Sequence, residues 1–126
     1  MDCGGEPLTL NGSASSFTVV GDCPTVLVSG SGNTIDLTRA VVTSIEVNGD
    51  SNSIQATEVS SIDISGQGNS GLAEMIDTLS INGNANNVTV SGDLAAAAIS
   101  GNENTVIAGS DPVVDVSGSD NVVSRG

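Results

Sequence analysis

Apolar residues in this chain fall at every second position in short runs, and the runs recur along its whole length. Four and two residues before a recurring glycine stand Leu8/Leu10, Val26/Val28, Ile45/Val47, Ile62/Ile64, Leu79/Ile81, Ala97/Ile99 and Val114/Val116. Five and seven residues after it stand Phe17/Val19, Ile35/Leu37, Ile54/Ala56, Val88/Val90 and Val106/Ala108. A period of two places alternate side chains on one face of a strand, so each pair reads as the buried face of a short β-strand. A third inward column lies seven residues before the glycine, at Cys23, Val42, Val59, Ile76 and Leu94. Two positions break the pattern: Gly71 with Ala73 in the second strand of one copy, and Asp111 in the third column near the C-terminus.

The glycines are Gly12, Gly30, Gly49, Gly66, Gly83, Gly101 and Gly118, at intervals of 17–19 residues, each preceded by Ser or Asn. Three residues after the glycine stands Asn33, Asn52, Asn69, Asn86, Asn104 or Asn121, with Ser15 in the first copy. A fixed period of this length is the mark of a solenoid, in which no copy buries its apolar side without its neighbours. The predicted fold is an all-β parallel β-solenoid of about seven 17–19-residue rungs, with right-handed coiling favoured over left. Each rung has a strand, a Ser/Asn-Gly-x-x-Asn turn, a second strand and a looser third side, where the differences in length fall. Residues 1–126 form one domain, with 1–23 as N-terminal cap and first rung. Glycine is expected to supply a positive φ at the corner. The stacked asparagines are expected to form a ladder, each amide bonding the next rung's amide or the turn backbone. The run Leu94–Ala98 has helical propensity, but it is too short to stand alone and Ala97 and Ile99 keep the strand frame.

Composition changes this picture in two ways. Phe17 is the only aromatic residue, so the interior is thin and aliphatic. The net charge is −13, with Arg39 and Arg125 the only cations, which disfavours nucleic acid and anionic membrane surfaces as partners. No run is long enough to span a membrane, and no signal-peptide pattern stands at Met1. Cys3 and Cys23 lie about one rung apart, a spacing that suits a disulfide stapling the first rung to the second. Such a bridge implies an oxidising, secreted or cell-envelope location. At the other end, no cap is visible after Val122 and Val123, which leaves room for self-association through the C-terminal rung.

The chain has no His and no Lys, so the usual nucleophile–base–orienter sets cannot be assembled, and no catalytic residue or cofactor is expected. Two acid pairs share columns on neighbouring rungs, Glu46 with Asp63 and Glu103 with Asp120. They are the candidate calcium ligands, against the plainer reading of a solvated acidic face. The fixed turn aspartate of calcium-loaded β-rolls is missing. An ice-binding face would need a regular array, but the outward column Ser16, Thr34, Ser53, Ser70, Asn87, Thr105 and Val122 is polar and irregular.

The Cys3-Gly4-Gly5 opening, the second Cys after Gly21-Asp22, and units such as Val26-x-Val28-Ser29-Gly30-x-x-Asn33-x-Ile35 resemble a family of uncharacterised Gly-x-x-Asn repeats. That family, a domain of unknown function, occurs in secreted and envelope proteins and lipoproteins of actinobacteria. The resemblance covers nearly the whole chain and implies an extracytoplasmic location with no known activity. Asp2 before Cys3 departs from a lipid-attachment box, so lipidation is not carried over. A weaker similarity, to curli-type fibre subunits, rests on Gly30-Ser31-Gly32-Asn33 and Gly66-Gln67-Gly68-Asn69, without the flanking Gln ladders. The expected function is that of a non-catalytic secreted or surface module, a rigid spacer, adhesin-like surface or interaction platform. The alternatives are a self-assembling fibre subunit and a calcium- or ice-binding solenoid.

Overall fold

Strands of the predicted frame stack rung upon rung in a computed structural model that describes residues 2–125. The first arm of each rung precedes and includes the turn glycine. It is built by β1 (Leu8–Ser13), the end of β2 (Ser16–Ser31), the end of β3 (Thr34–Asp50), β5 (Glu58–Gln67), β7 (Met75–Asn84), β9 (Leu94–Asn102) and β11 (Val113–Ser119). The second arm follows the asparagine. It is built by the starts of β2 and β3 and by β4 (Ser53–Ala56), β6 (Ser70–Ala73), β8 (Asn87–Val90), β10 (Thr105–Ala108) and β12 (Val122–Arg125). All pairings are parallel and in register with the repeat: Val28 faces Val47, Val47 faces Ile64, and Ile81 faces Ile99. The run Leu94–Ala98 is strand, as the frame required, with Ala97 and Ile99 buried.

Aliphatic columns fill the space between the arms. Val28, Val47, Ile64, Ile81 and Ile99 are closed to solvent on the first arm, as are Ile35, Val88 and Val106 on the second. Cys23, Val42, Val59, Ile76 and Leu94 close the third side. Each such side chain contributes about 1.5–3 kcal/mol on burial. Phe17 and Val114 pack against the core while remaining partly exposed, and Val116, expected to face inward, is 44% exposed. Val116 belongs to the last described rung, and no described strand lies over it on the outer side.

Rung length varies where the chain crosses to the third side. Ile35 pairs with Ile54, an offset of 19 residues, whereas Val42 pairs with Val59, an offset of 17. The two extra residues of the longer rung therefore lie in the segment 38–41, and β3 carries a register shift against β2 at the same place. At the N-terminal end, Cys3 is bonded to Cys23 with Cα atoms 5.2 Å apart. The bridge closes a loop of 20 residues of sequence separation, which stabilises by about 3 kcal/mol.

Gly71 sits in the second-arm column between Ile54 and Val88, with no side chain to fill its layer. A cavity of about 10 Å³ results, lined by Ile45, Val47, Ile54, Ile62, Ile64, Gly71, Leu72 and Val88. A water needs two or more polar partners, and this lining offers almost none, so the cavity is dry. A β-carbon on Gly71 would meet Val88 at 3.6 Å, an ordinary contact. Gly71→Ala is therefore expected to raise stability by about 1 kcal/mol, through lost unfolded-state entropy and a buried methyl group. Urea unfolding followed by circular dichroism measures it.

Candidate functional site

The turn column is the most constrained polar feature of the molecule. Each asparagine reaches back to the rung before it. The Nδ2 groups of Asn52, Asn69, Asn86 and Asn104 donate to the carbonyls of Gly30, Gly49, Gly66 and Gly83 at 2.9–3.0 Å. Their Oδ1 atoms accept from the backbone N–H groups of Asn33, Asn52, Asn69 and Asn86 at 2.9–3.1 Å. From Asn69 onward the amides also bond one another, Asn69 to Asn86, Asn86 to Asn104 and Asn104 to Asn121. Of the two arrangements that the sequence allowed, amide to amide and amide to turn backbone, both are present. Asn33, Asn52, Asn69, Asn86 and Asn104 are all but closed to solvent, so they are structural and not presented to a ligand.

Glycine's reason for standing at the corner is sharper than a positive φ. Gly83 has φ 143°, and a β-carbon there would collide with the carbonyl oxygen of Gly66 in the rung before. That carbonyl is the one which Asn86 engages, so close approach of the two turns is part of the ladder. Gly12 departs from the expectation. Its φ is not in the left-handed region, because no earlier turn lies beneath it.

A second left-handed residue escaped the sequence reading. It stands two after each glycine: Ala14, Gly32, Ser51, Gly68, Ala85, Glu103 and Asp120, with φ between 51° and 69°. Glycine at two of the seven positions was the signal. At the others an L side chain is held where it costs about 1–2 kcal/mol. At Ala14, Ser51, Ala85 and Glu103 the penalty is offset by a backbone bond across the rungs, as from Ser51 N to Gln67 O at 2.9 Å.

The candidate calcium ligands fall in two places. Glu46 and Asp63 are opposed on the outer face of the first arm. Glu46 there accepts a hydrogen bond from Asn48 Nδ2 at 3.1 Å. Glu103 and Asp120 occupy equivalent left-handed turn positions of successive rungs, their carboxylates exposed. Among the described residues no three His, Cys, Asp or Glu side chains converge. The polar column Ser16, Thr34, Ser53, Ser70, Asn87, Thr105 and Val122 is straight, since each residue pairs with the next. Exposed Leu72 interrupts the neighbouring column, which otherwise runs through Asp36, Gln55 and Thr89.

One carboxyl is perturbed. The Thr38 hydroxyl donates to Asp36 at 2.6 Å and the Thr38 N–H at 3.0 Å, and with nearby Arg39 they hold Asp36 below the ordinary carboxylate range. Its contribution is present above that range and is lost as pH falls through the lowered value. Here it fixes the start of the long third-side segment. A surface depression of about 250 Å³ lies on that side as well, lined by Val41, Val42, Glu58, Val59, Met75 and Asp77.

The comparisons with known proteins bear on the last part of the chain. A family model described as a protein of unknown function (DUF3060) matches residues 81–126. The matched segment contains the turns at Gly83, Gly101 and Gly118 with their asparagines, three rungs of the ladder. The similarity to an uncharacterised family is thus found over this segment, where nearly the whole chain had been expected to carry it. No curated protein and no solved structure matches the chain.

Two outcomes test the turn. Asn69→Ala leaves the Gly49 carbonyl and the Asn52 N–H without their partner, and is expected to cost about 3 kcal/mol. Asn121→Ala strands one rung's groups at a partly exposed position and is expected to cost about 1 kcal/mol. Urea unfolding compares the two. Left-handed strain makes a reciprocal pair: Ser51→Gly is expected to stabilise by about 0.5 kcal/mol, and Gly68→Ala to destabilise by about 1 kcal/mol. Differential scanning calorimetry reads both signs.

Proposed function

We propose that this chain is a non-catalytic structural and interaction module, a rigid acidic β-solenoid that works outside the cytoplasm. The observation that carries this reading is the unbroken coupling of each rung to the next through buried asparagine. Every interior amide is committed to holding the stack, and the side chains left for function are those on the outer faces. A chain without His or Lys cannot assemble the usual nucleophile–base–orienter sets, which favours binding or spacing over catalysis. The Cys3–Cys23 bridge is consistent with an oxidising compartment.

A second reading, end-to-end assembly into a fibre, is favoured by one observation. Val113 is 78% exposed and Val122 is 51% exposed on the last described rung. Parallel stacking would require the next copy's first rung to supply an asparagine to the Gly118 carbonyl and the Asn121 N–H. That position is Ser15, whose hydroxyl turns to the carbonyl of Ser13 at 3.2 Å. A serine side chain is too short to reproduce both bonds, so the module reading is preferred.

Light scattering across a concentration series, with and without reductant, decides between the two. The protein is expected to stay monomeric throughout. Reduction is expected to lower the melting temperature without inducing growth. Concentration-dependent growth would establish assembly instead.

A further inference from the structure

The third side of the solenoid carries an outward column eight residues before the turn glycines. Immediately before each buried residue of the inward column Cys23, Val42, Val59, Ile76 and Leu94 stands an outward one. These outward residues are Asp22, Val41, Glu58, Met75 and Asp93. The pairings of Asp22 with Val41 and of Glu58 with Met75 confirm that they stack, as do Val42 with Val59 and Ile76 with Leu94 on either side. The column therefore alternates acid, apolar, acid, apolar, acid on five successive rungs.

Its apolar members are out of place for a solvated surface. Val41 is 69% exposed and Met75 is 41% exposed. Depressions of about 250 and 290 Å³ flank Val41 and Glu58, the second lined also by Thr38, Arg39 and Thr57. Asp77 adds a further carboxylate to the first. Exposed apolar side chains set between regularly spaced like charges fit a partner that has the opposite charge and its own apolar surface.

The spacing selects the partner's conformation. Strands stack about 4.8 Å apart, so Asp22, Glu58 and Asp93, on every second rung, recur at about 9.6 Å. One turn of a polyproline II helix is three residues and about 9.3 Å. A β-strand brings same-face side chains back every 6.7 Å or so. An α-helix offers about 10.5 Å at seven residues and drifts out of step by the third acid. We infer that this column binds an extended, polyproline II-like polypeptide segment of another protein, with Arg or Lys at every third residue over the acids and prolyl or aliphatic side chains over Val41 and Met75. This inference rests on the interaction-module reading above and names the surface and partner chemistry for it.

The probe is a capped peptide of four Arg-Pro-Pro units ending in Trp. Because the protein contains neither Trp nor Tyr, the peptide's fluorescence reports binding directly. Its control has the same composition with the four arginines contiguous. Saturable 1:1 binding is expected, about tenfold tighter than for the control. Met75→Ser is expected to weaken it about tenfold and Glu58→Gln about threefold. Asp63→Asn, on the first arm's outer face, is expected to leave it unchanged. All three positions are exposed, and circular dichroism checks that each variant keeps its fold. Equal affinity for the two peptides, equal weakening by Asp63→Asn and Glu58→Gln, or no saturable binding would each overturn the inference. Its failure in a protein that stays monomeric leaves the module reading standing. Growth in the scattering series would remove the module reading independently of the peptide result.

Discussion

Everything in this molecule depends on one exchange between neighbouring turns: an asparagine side chain donates to the glycine carbonyl of the rung before it and accepts from that rung's asparagine N–H. The exchange satisfies backbone groups that a tight corner would otherwise bury unpaired, at a cost of about 1–3 kcal/mol each. It also demands that the two turns come close enough for only glycine to fit between them, as at Gly83 above Gly66. Register follows directly. A strand displaced by one residue would lose the ladder and would turn its aliphatic face to water at the same time.

This coupling explains how so thin a core suffices. With one partly exposed aromatic residue, the interior is a set of aliphatic columns, each side chain meeting its counterparts above and below. The columns tolerate a fault such as Gly71, because the rungs on both sides remain held through Asn69 and Asn86. They tolerate left-handed strain at Ser51 or Glu103 for the same reason. Stability in such an array is a sum over neighbours, so a local weakness stays local. The first and last described rungs each pair with one described neighbour. The N-terminal one is stapled covalently, while the last described one exposes Val113 and Val122.

With the turn and the interior committed to holding the stack, function is left to the outer faces, and these differ. The second arm's outer face is a straight but chemically irregular polar column, interrupted beside it by Leu72. The first arm's outer face carries the opposed Glu46 and Asp63. Only the third side combines relief, exposed apolar side chains and regularly spaced charge. The longer crossing at residues 38–41 begins at the Asp36–Thr38 hydrogen bonds and ends at Val41, which is exposed.

The amino-acid sequence alone determined the solenoid, its rung length, the inward columns, the asparagine ladder and the Cys3–Cys23 staple. Each of these repeats or pairs at a fixed spacing, and spacing is what a one-dimensional reading detects. Tertiary structure decided the left-handed residue two after each glycine, since only two of seven copies mark it with glycine and the rest tolerate strain there. It decided that Gly12 differs from its successors, because the conformation is imposed by a turn beneath that the first rung lacks. It also decided how far the outward column Asp22, Val41, Glu58, Met75 and Asp93 is exposed. These residues all stand eight before a turn glycine, so spacing alone aligns them, but their exposure and the depressions beside them depend on how the third side packs across rungs.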